Sequence, residues 1–156
     1  YSKDSKSEFN NTFFSSKELL EELSQNYIHL ENMEITIDPK CPEVQFNKVQ
    51  LQQVFSNLID NALKYTDKDK CEVAINYNSK GPFHQFNIKD NGPGIKENMH
   101  ERIFEIFYRL SSEESKESSG IGLSIVKKIL ESHNGTIHVI SDGENGSEFI
   151  VKIPKI

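Results

Sequence analysis

Residues 48–65 form the longest periodic segment of the chain and constrain its fold more than any other feature. Apolar residues recur there at the spacing of an amphipathic helix, namely Leu51, Val54, Phe55, Leu58, Ile59 and Ala62. Such a helix must bury one face against another layer of structure. Asn57, Asn61 and Lys64 share the opposite face, because positions i, i+4 and i+7 lie above one another on a helix.

This polar face has two interpretations. An amide oxygen is a hard, neutral ligand that suits Mg²⁺, which keeps several waters and takes one or two protein oxygens beside nucleotide phosphates. A solvated helix surface explains the same spacing, and the spacing alone favours that simpler interpretation. The other motifs of the chain therefore decide between the two.

Strand and helix patterns surround this segment. Residues 8–14 predict a strand, and Ser15 or Ser16 then begins a helix in which Glu18 completes a capping box. Further predicted elements are strands over 34–38 (ended by Pro39 and Pro42), 72–77, 83–89, 136–140 and 148–153, a turn over 78–81 and a helix over 122–132. Because these elements do not alternate regularly, they predict an α/β chain of the α+β two-layer type, with helices on one sheet.

The segment Asp90-Asn91-Gly92-Pro93-Gly94-Ile95 follows a predicted strand. A carboxylate accepts a hydrogen bond from the exocyclic amine of adenine and would meet only an acceptor on guanine. Two residues without a Cβ would let a flat ring approach the backbone closely. The same residue types are also typical of an ordinary turn after a strand, so this segment alone favours neither interpretation.

The segment Gly120-Ile121-Gly122-Leu123 opens the predicted helix over 122–132. Free backbone N–H groups and the positive end of the helix dipole would face whatever precedes it, which is typical of a phosphate site. The segment lacks the Lys-Ser/Thr pair of a Walker A loop and the third glycine of a dinucleotide fingerprint. Glycines selected for tight helix packing are the alternative explanation.

Residues 96–119 predict a flexible lid. The run 111–119 is rich in Ser and Glu and offers little to bury. A short amphipathic piece over 103–110 precedes it, and its aromatic residues are expected to dock the lid. Arg109 in this piece carries a planar guanidinium suited to stabilising charge on a terminal phosphate.

Composition narrows the class of protein. The 156 residues, 35% of them hydrophobic, predict one domain over 1–156, with 1–8 as a ragged linker remnant. A net charge of −6 argues against a nucleic-acid partner. Cys41 and Cys71 lack C-x-x-C spacing, which favours a reducing, cytoplasmic environment, and no apolar run approaches the roughly 20 residues of a membrane span.

Taken in order, these segments resemble the catalytic, ATP-binding domain of sensor histidine kinases, in the superfamily that includes gyrase, the heat-shock chaperone and mismatch-repair ATPases. The resemblance runs from about residue 45 to the end. Its motifs are the N box at 57–65, the first glycine box at 90–95, the F box at 104–110, the second glycine box at 120–125 and a last glycine-containing turn at 142–149.

The resemblance implies ATP and Mg²⁺ as ligands, with Asn61 on the metal, Asn57 and Lys64 near the phosphates and Asp90 on the adenine amine. It implies a mixed sheet of about five strands packed against three helices, with a flexible ATP lid. Asn57, Lys64 and Arg109 are the catalytic candidates. The remaining implied nucleotide contacts are Tyr65, Gly92, Gly94, Ile95, Gly120, Ile121, Gly122 and Leu123.

Two positions refine this expectation. Ser118 stands where the family usually has a glycine, which predicts weaker or slower clamping of the nucleotide because Ser has fewer backbone options. Hydrolysing relatives carry Glu at the position of Asn57, and an amide cannot take a proton from water. We therefore expect slow hydrolysis and transfer of the γ-phosphoryl to a histidine on a separate helical domain, for relay to a response regulator.

None of the five histidines fits the family's acceptor, which an acidic residue and then a proline follow; they are His29, His84, His100, His133 and His138. The resemblance thus implies separate dimerisation and phosphoacceptor helices in a homodimeric full-length protein, anchored in the cell membrane. The alternatives are an anti-sigma-type serine kinase, a clamp ATPase of the same superfamily, or a degenerate module that only binds partners.

Overall fold

A computed structural model describes residues 11–105 and 122–155 of the chain. Within these residues the helices are α1 (Ser16–Ser24), α2 (Lys48–Tyr65) and α3 (Gly122–Ser132). The strands are β1 (Asn11–Ser15), β2 (Met33–Ile37), β3 (Glu43–Asn47), β4 (Cys71–Lys80), β5 (Phe83–Asp90), β6 (Thr136–Ile140) and β7 (Glu148–Pro154).

The main sheet has five strands in the order β2-β4-β5-β7-β6. Strand β2 pairs parallel to β4, with Ile35 beside Val73, and the other pairs are antiparallel. Strands β1 and β3 form a separate antiparallel ribbon. The predicted mixed sheet of about five strands with three helices is thereby confirmed within the described residues.

Helix α1 begins as its sequence predicts. The Ser15 side chain accepts a hydrogen bond from the Glu18 N–H at 3.1 Å, which satisfies one free donor of the first turn. The Ser16 hydroxyl is fully buried and donates to the Pro42 carbonyl at 2.6 Å. This bond ties the start of α1 to the segment that leads into β3.

Helix α2 lies at the centre of the core. Asn47 caps it by accepting from the Gln50 N–H at 3.0 Å, and the helix ends at Tyr65, as predicted. All six residues of its apolar stripe are buried, the most accessible being Ala62 at 7%. Burial of a large apolar side chain contributes roughly 1.5–3 kcal/mol, so this stripe holds the polar face of α2 in a fixed orientation.

Two local predictions differ from the structure, and a third is not tested by it. Strand β3 was not predicted, because the prolines at 39 and 42 indicated a loop; pairing with β1, with Val44 opposite Phe14, makes the segment a strand. The turn predicted over 78–81 is shorter, since β4 continues to Lys80. Its polar residues still pair across to β5, Ser79 lying opposite His84. The predicted remnant over 1–8 lies outside the described residues.

Both cysteines are free and buried. Burial raises the pKa of the Cys41 thiol to about 11 and also raises that of Cys71. Neither thiol is activated, so both act as small apolar core residues. Among the helices of the described residues, none has the length and apolar character needed to cross a membrane.

Candidate functional site

A cavity of about 490 Å³ lies between the C-terminal half of α2 and the end of β5. Its walls come from α2, from the segment that begins at the end of β5, and from the turn before β7. The lining residues are Asn61, Ala62, Tyr65, Asp90, Gly92, Pro93, Gly94, Ile95, Lys96, Met99, Gly143 and Ser147. Asn61 of the predicted polar face of α2 and the predicted Asp90 segment therefore meet at one cavity.

Asp90 is the last residue of β5 and is held by hydrogen bonds on several sides. Its Oδ1 accepts from the Gly92 N–H at 2.8 Å and from the Ser147 N–H at 3.3 Å, and its Oδ2 accepts from the Ser147 hydroxyl at 2.8 Å. A carboxylate offers about four acceptor positions, so one remains for a further donor. These bonds fix the orientation of the carboxylate, and its remaining acceptor position could accept a hydrogen bond from a ligand amine.

Ser147 is a site residue that the sequence interpretation missed, although it lies in the recognised turn over 142–149. It is 6% exposed and lines the cavity beside Asp90. The sequence did contain a signal for this residue, since Ser147 carries a hydroxyl and lies directly after Gly146 and directly before the strand that begins at Glu148. The pairing of Lys89 with Glu148 across β5 and β7 brings this residue to Asp90.

Glycines permit the close approach of two loops at the cavity. Gly94 has φ +88, and a Cβ on it would lie 2.7 Å from the Glu144 nitrogen. Gly146 has φ +89, and a Cβ there would lie 2.1 Å from the Asp90 carbonyl oxygen. Both positions exclude L side chains by backbone conformation and by space, so the segment 141–146 packs directly on the Asp90 segment.

The turn over 141–146 is braced by its own side chains. The Ser141 hydroxyl accepts from the Ile95 N–H at 2.8 Å and donates to the Gly146 carbonyl at 2.7 Å. Asp142 accepts from the backbone N–H groups of Asn145 and Glu144, which lowers the pKa of its carboxyl to about 2. These bonds hold Gly143 at the cavity wall.

The predicted polar face of α2 separates into two parts. Asn61 and Tyr65 line the cavity one helical turn apart, whereas Asn57 and Lys64 do not. The Asn57 side-chain amide donates to the Gly122 carbonyl at 3.2 Å and so joins α2 to the first residue of α3. Lys64 is exposed in the last turn, where a cation also favours the helix dipole.

The predicted lid is described only in part. Residues 96–105 contain two short 3₁₀ turns, Glu97–Met99 and Arg102–Phe104. Phe104 is buried and makes an edge-to-face contact with Phe149, at 6.3 Å between ring centroids. The rest of the lid lies outside the described residues, and so do Arg109, Ser118, Gly120 and Ile121. Leu123 is described in α3 and does not line the cavity.

The size of the cavity and the residue types near it bear on what it could hold. Its volume falls in the usual range of small-ligand sites, roughly 300–1,000 Å³. Within residues 11–105 and 122–155, no group of three or more His, Cys, Asp or Glu side chains could hold a metal ion. A divalent ion here would take oxygens from a bound phosphate and at most one or two from the protein, which matches the preference of Mg²⁺.

Comparison with known proteins identifies the family of the chain. Residues 46–156 match the family described as histidine kinase-, DNA gyrase B- and HSP90-like ATPases. The chain belongs to this family of ATPases, and membership implies that it binds ATP. The match includes α2, the Asp90 segment and the turn before β7, which together form the cavity.

The curated relatives narrow the class to histidine kinases. The adaptive-response sensory kinase SasA of Nostoc sp. is 38% identical over 138 residues, which cover 88% of this chain and 34% of that protein. Cyanobacterial phytochrome B of Nostoc sp. is 43% identical over 119 residues, covering 75% of this chain and 16% of that protein. The chain thus spans about a third or less of these relatives.

Solved structures agree with the relatives. The catalytic domain of histidine kinase ThkA superposes with a TM-score of 0.79 at 26% identity, covering 93% of this chain and 95% of that one. ThkA in complex with response regulator protein TrrA gives a TM-score of 0.75 at 28% identity, covering 94% of this chain and 42% of that one. The prediction of a histidine kinase catalytic domain is confirmed, and these similarities favour it over a serine kinase or a clamp ATPase of the same superfamily.

Proposed function

We propose that this chain binds ATP with Mg²⁺ and donates the γ-phosphoryl group to a histidine on separate dimerisation and phosphoacceptor helices. The observation that carries the proposal is the Asp90 carboxylate, held by Ser147 and Gly92 at the wall of a cavity that Asn61 also lines. Asp90 accepts from the exocyclic amine of adenine and selects it over guanine. Ile95, Gly92 and Gly94 form the adjoining surface for the base.

Asn61 is the metal ligand in this proposal. Its amide oxygen is the hard, neutral donor that Mg²⁺ accepts beside water and phosphate oxygens. When bound, the ion neutralises charge on the phosphates. Tyr65 contacts the nucleotide one turn further along α2.

In this proposal the phosphate groups of bound ATP extend from the cavity toward the start of α3. The bond between Asn57 and the Gly122 carbonyl places the polar face of α2 beside the helix N-terminus, whose dipole favours anions. Asn57 and Lys64 approach the phosphates there, with Arg109 as the third catalytic candidate. Gly120, Ile121, Gly122 and Leu123 supply the cradle around them.

Asn57 makes transfer the favoured reaction over hydrolysis. An amide cannot act as the general base that activates water. Positioning and charge neutralisation supply most of the rate in phosphoryl transfer, so a site of this kind can serve an incoming imidazole while it hydrolyses ATP slowly.

The partners follow from the same reaction. The solved complex of histidine kinase ThkA with a response regulator protein supports a partner of this kind. We assign this chain a response regulator as the final acceptor and a homodimeric full-length protein that presents the domain to the cytoplasm, anchored in the membrane. Residues 1–156 act as one catalytic domain in this scheme.

The proposal is tested by calorimetry and by transfer in trans. ATP with Mg²⁺ should bind the native chain, GTP should bind at least about tenfold more weakly, and Asp90→Asn should lose a similar factor for ATP. Radiolabel from [γ-³²P]ATP should move to the histidine of an added dimerisation and phosphoacceptor segment from the same full-length protein. Equal affinity for ATP and GTP contradicts the role of Asp90, whereas tight ATP binding without any transfer contradicts the kinase.

A further inference from the structure

Strand β6 is an open edge of the main sheet. It pairs with β7 on one side, and the described residues provide no strand on the other side. They also provide no backbone hydrogen bond to residues 136–140 other than those of the β7 pairing. Alternate residues of such a strand direct both N–H and C=O away from the sheet. Within residues 11–105 and 122–155, the outer edge of β6 therefore presents a row of unpaired donors and acceptors.

A groove of about 710 Å³ runs along this edge. Residues 135–139 line it consecutively. Successive side chains of a strand point to opposite faces of the sheet. Because neighbouring residues all line the groove, it lies along the edge of the sheet and not over one face. Phe104 and Lys127, from the 3₁₀ turn at 102–104 and from α3, also line it. The groove shares no lining residue with the cavity that contains Asp90.

The groove has an apolar floor and an acidic rim. The apolar part of the lining, which forms the floor, comes from Ile137, Val139 and Phe104, which are 8%, 9% and 9% exposed. Glu101, Glu105 and Glu131 line it as exposed carboxylates, whereas Lys127 is its only lining ammonium among the described residues.

The single ammonium is already engaged. The Lys127 Nζ lies 4.0 Å from a Glu131 carboxylate oxygen and 5.8 Å from the centroid of the Phe104 ring. Among the charged Glu and Lys side chains of the lining, three carboxylates against one ammonium leave an excess of two negative charges. The groove therefore matches a ligand that carries positive charge.

The sequence of β6 also lacks the residue types that keep sheet edges unpaired. Natural sheets protect such strands with lysine, proline or inward charges, and β6 contains none of these. Its last residue, Ile140, is 56% exposed. The opposite edge differs, because β2 carries Glu34 in an ion pair with Lys70 at 3.0 Å.

We propose that the β6 edge is a docking site for an extended, basic segment of a partner polypeptide, which adds to the sheet as a further strand. Its backbone would pair with β6, its inward side chains would lie on the floor formed by Ile137 and Phe104, and Lys or Arg side chains would meet the acidic rim. Main-chain bonds supply affinity and alternate side chains supply specificity in this mode of recognition. A second copy of the chain fits poorly, because two acidic rims would repel each other.

The probe is a fluorescein-labelled peptide of alternating valine and lysine that spans β6, measured by fluorescence anisotropy without nucleotide. The same peptide with alternate backbone nitrogens methylated keeps its charge but loses donors, and a valine–glutamate peptide reverses the charge. We expect the lysine peptide to bind, and each of the other two to bind at least about tenfold more weakly. Amide shifts in an NMR titration should centre on residues 136–140.

A pair of double variants locates the site. Glu101→Lys with Glu131→Lys should weaken peptide binding at least roughly tenfold. Glu22→Lys with Glu43→Lys makes the same charge change at exposed positions outside the groove and should leave binding unchanged. Circular dichroism and ATP affinity check that both variants fold.

Three results would overturn the proposal. Equal binding of the methylated peptide means charge attraction without strand addition, and equal binding to the Glu101→Lys, Glu131→Lys variant places the peptide elsewhere. Self-association of the native chain in analytical ultracentrifugation, abolished by His138→Pro, would make a second copy the occupant in place of a basic partner.

Discussion

Ser147 and Asp90 bond to each other through both backbone and side chain. The Asp90 N–H donates to the Ser147 carbonyl at 2.9 Å, and the Ser147 hydroxyl donates to Asp90 Oδ2 at 2.8 Å. The first bond extends the pairing of β5 with β7 by one step, and the second fixes the carboxylate that this pairing delivers. The sheet and the nucleotide site thus meet in one pair of residues.

Ser147→Ala should weaken ATP binding with little loss of structure. Removing one hydrogen bond to a charged acceptor costs about 1.5–3 kcal/mol, part of which appears as reduced stability and part as a mobile Asp90 carboxylate. We expect roughly a tenfold increase in the Kd for ATP by calorimetry. Ser147→Thr keeps the hydroxyl and should retain most of the affinity; an alanine variant with native affinity would show that Asp90 needs no such support.

Gly146→Ala and Gly143→Ala form a matched pair. Both glycines have positive φ, +89 and +87, so alanine strains the backbone at either position. A Cβ at Gly146 would also meet the Asp90 carbonyl oxygen at 2.1 Å, whereas at Gly143 the nearest atom is 3.8 Å away.

In denaturant unfolding, Gly143→Ala should therefore cost about 1 kcal/mol, the usual penalty for alanine in this conformation. Gly146→Ala should cost at least about 1 kcal/mol more, since overpacking adds roughly 1–3 kcal/mol. Equal losses for the two variants would mean that the turn moves freely away from Asp90.

His84 should make the stability of the fold depend on pH. It is 9% exposed, its Nδ1 lies 2.7 Å from the Tyr77 hydroxyl, and burial with the nearby Lys155 lowers its pKa below the ordinary value of 6.5. Below pH 6.5 the unfolded chain therefore binds a proton at His84 more readily than the folded chain does. The free energy of unfolding has its full value above pH 6.5 and falls as the pH drops below it.

The measurement is the free energy of unfolding in urea between pH 7.5 and 5.5. The slope from one such histidine cannot exceed about 1.4 kcal/mol per pH unit. His84→Gln should flatten the curve, whereas His138→Gln, at an exposed position of β6, should leave it unchanged. A curve that is the same in native and His84→Gln chains would assign the dependence to other groups.

The parts of the fold that local chemistry determines could be predicted. Helix α2 begins after its Asn47 cap and ends at Tyr65, because its cap and its apolar stripe agree. Strand β3 was missed although Val44 and Phe46 alternate with polar residues in it, because five residues directly after Pro42 give a weak signal that only the pairing with β1 completes. Propensity is weak where cross-strand contacts decide.

The candidate site shows the same division. Asn61, Tyr65 and Asp90 were found from motifs and line one cavity. Ser147 was missed because it lies 57 residues from the carboxylate it holds, and only the register of β5 and β7 brings the two together. Asn57 was grouped with Asn61 by helical spacing, yet its amide turns to Gly122, a partner that spacing along α2 cannot show.

Asn57→Glu tests both the chemistry and the structural contact of this residue. A carboxylate could serve as the base that the amide lacks, which should raise the slow ATP hydrolysis of the native chain. The Asn57 amide, however, donates to the Gly122 carbonyl at 3.2 Å, and a carboxylate there would place two acceptors against each other. We therefore expect hydrolysis to rise while ATP affinity and thermal stability fall.

Asn57→Ala separates the two effects in a coupled assay of phosphate release. It removes the bond to Gly122 without adding a base, so it should share the loss of affinity and stability but show no gain in hydrolysis. A gain in both variants would mean that loosening the α2–α3 junction admits water, and the amide would then suppress hydrolysis by holding the two helices together. Brisk hydrolysis by the native chain would contradict either role of Asn57.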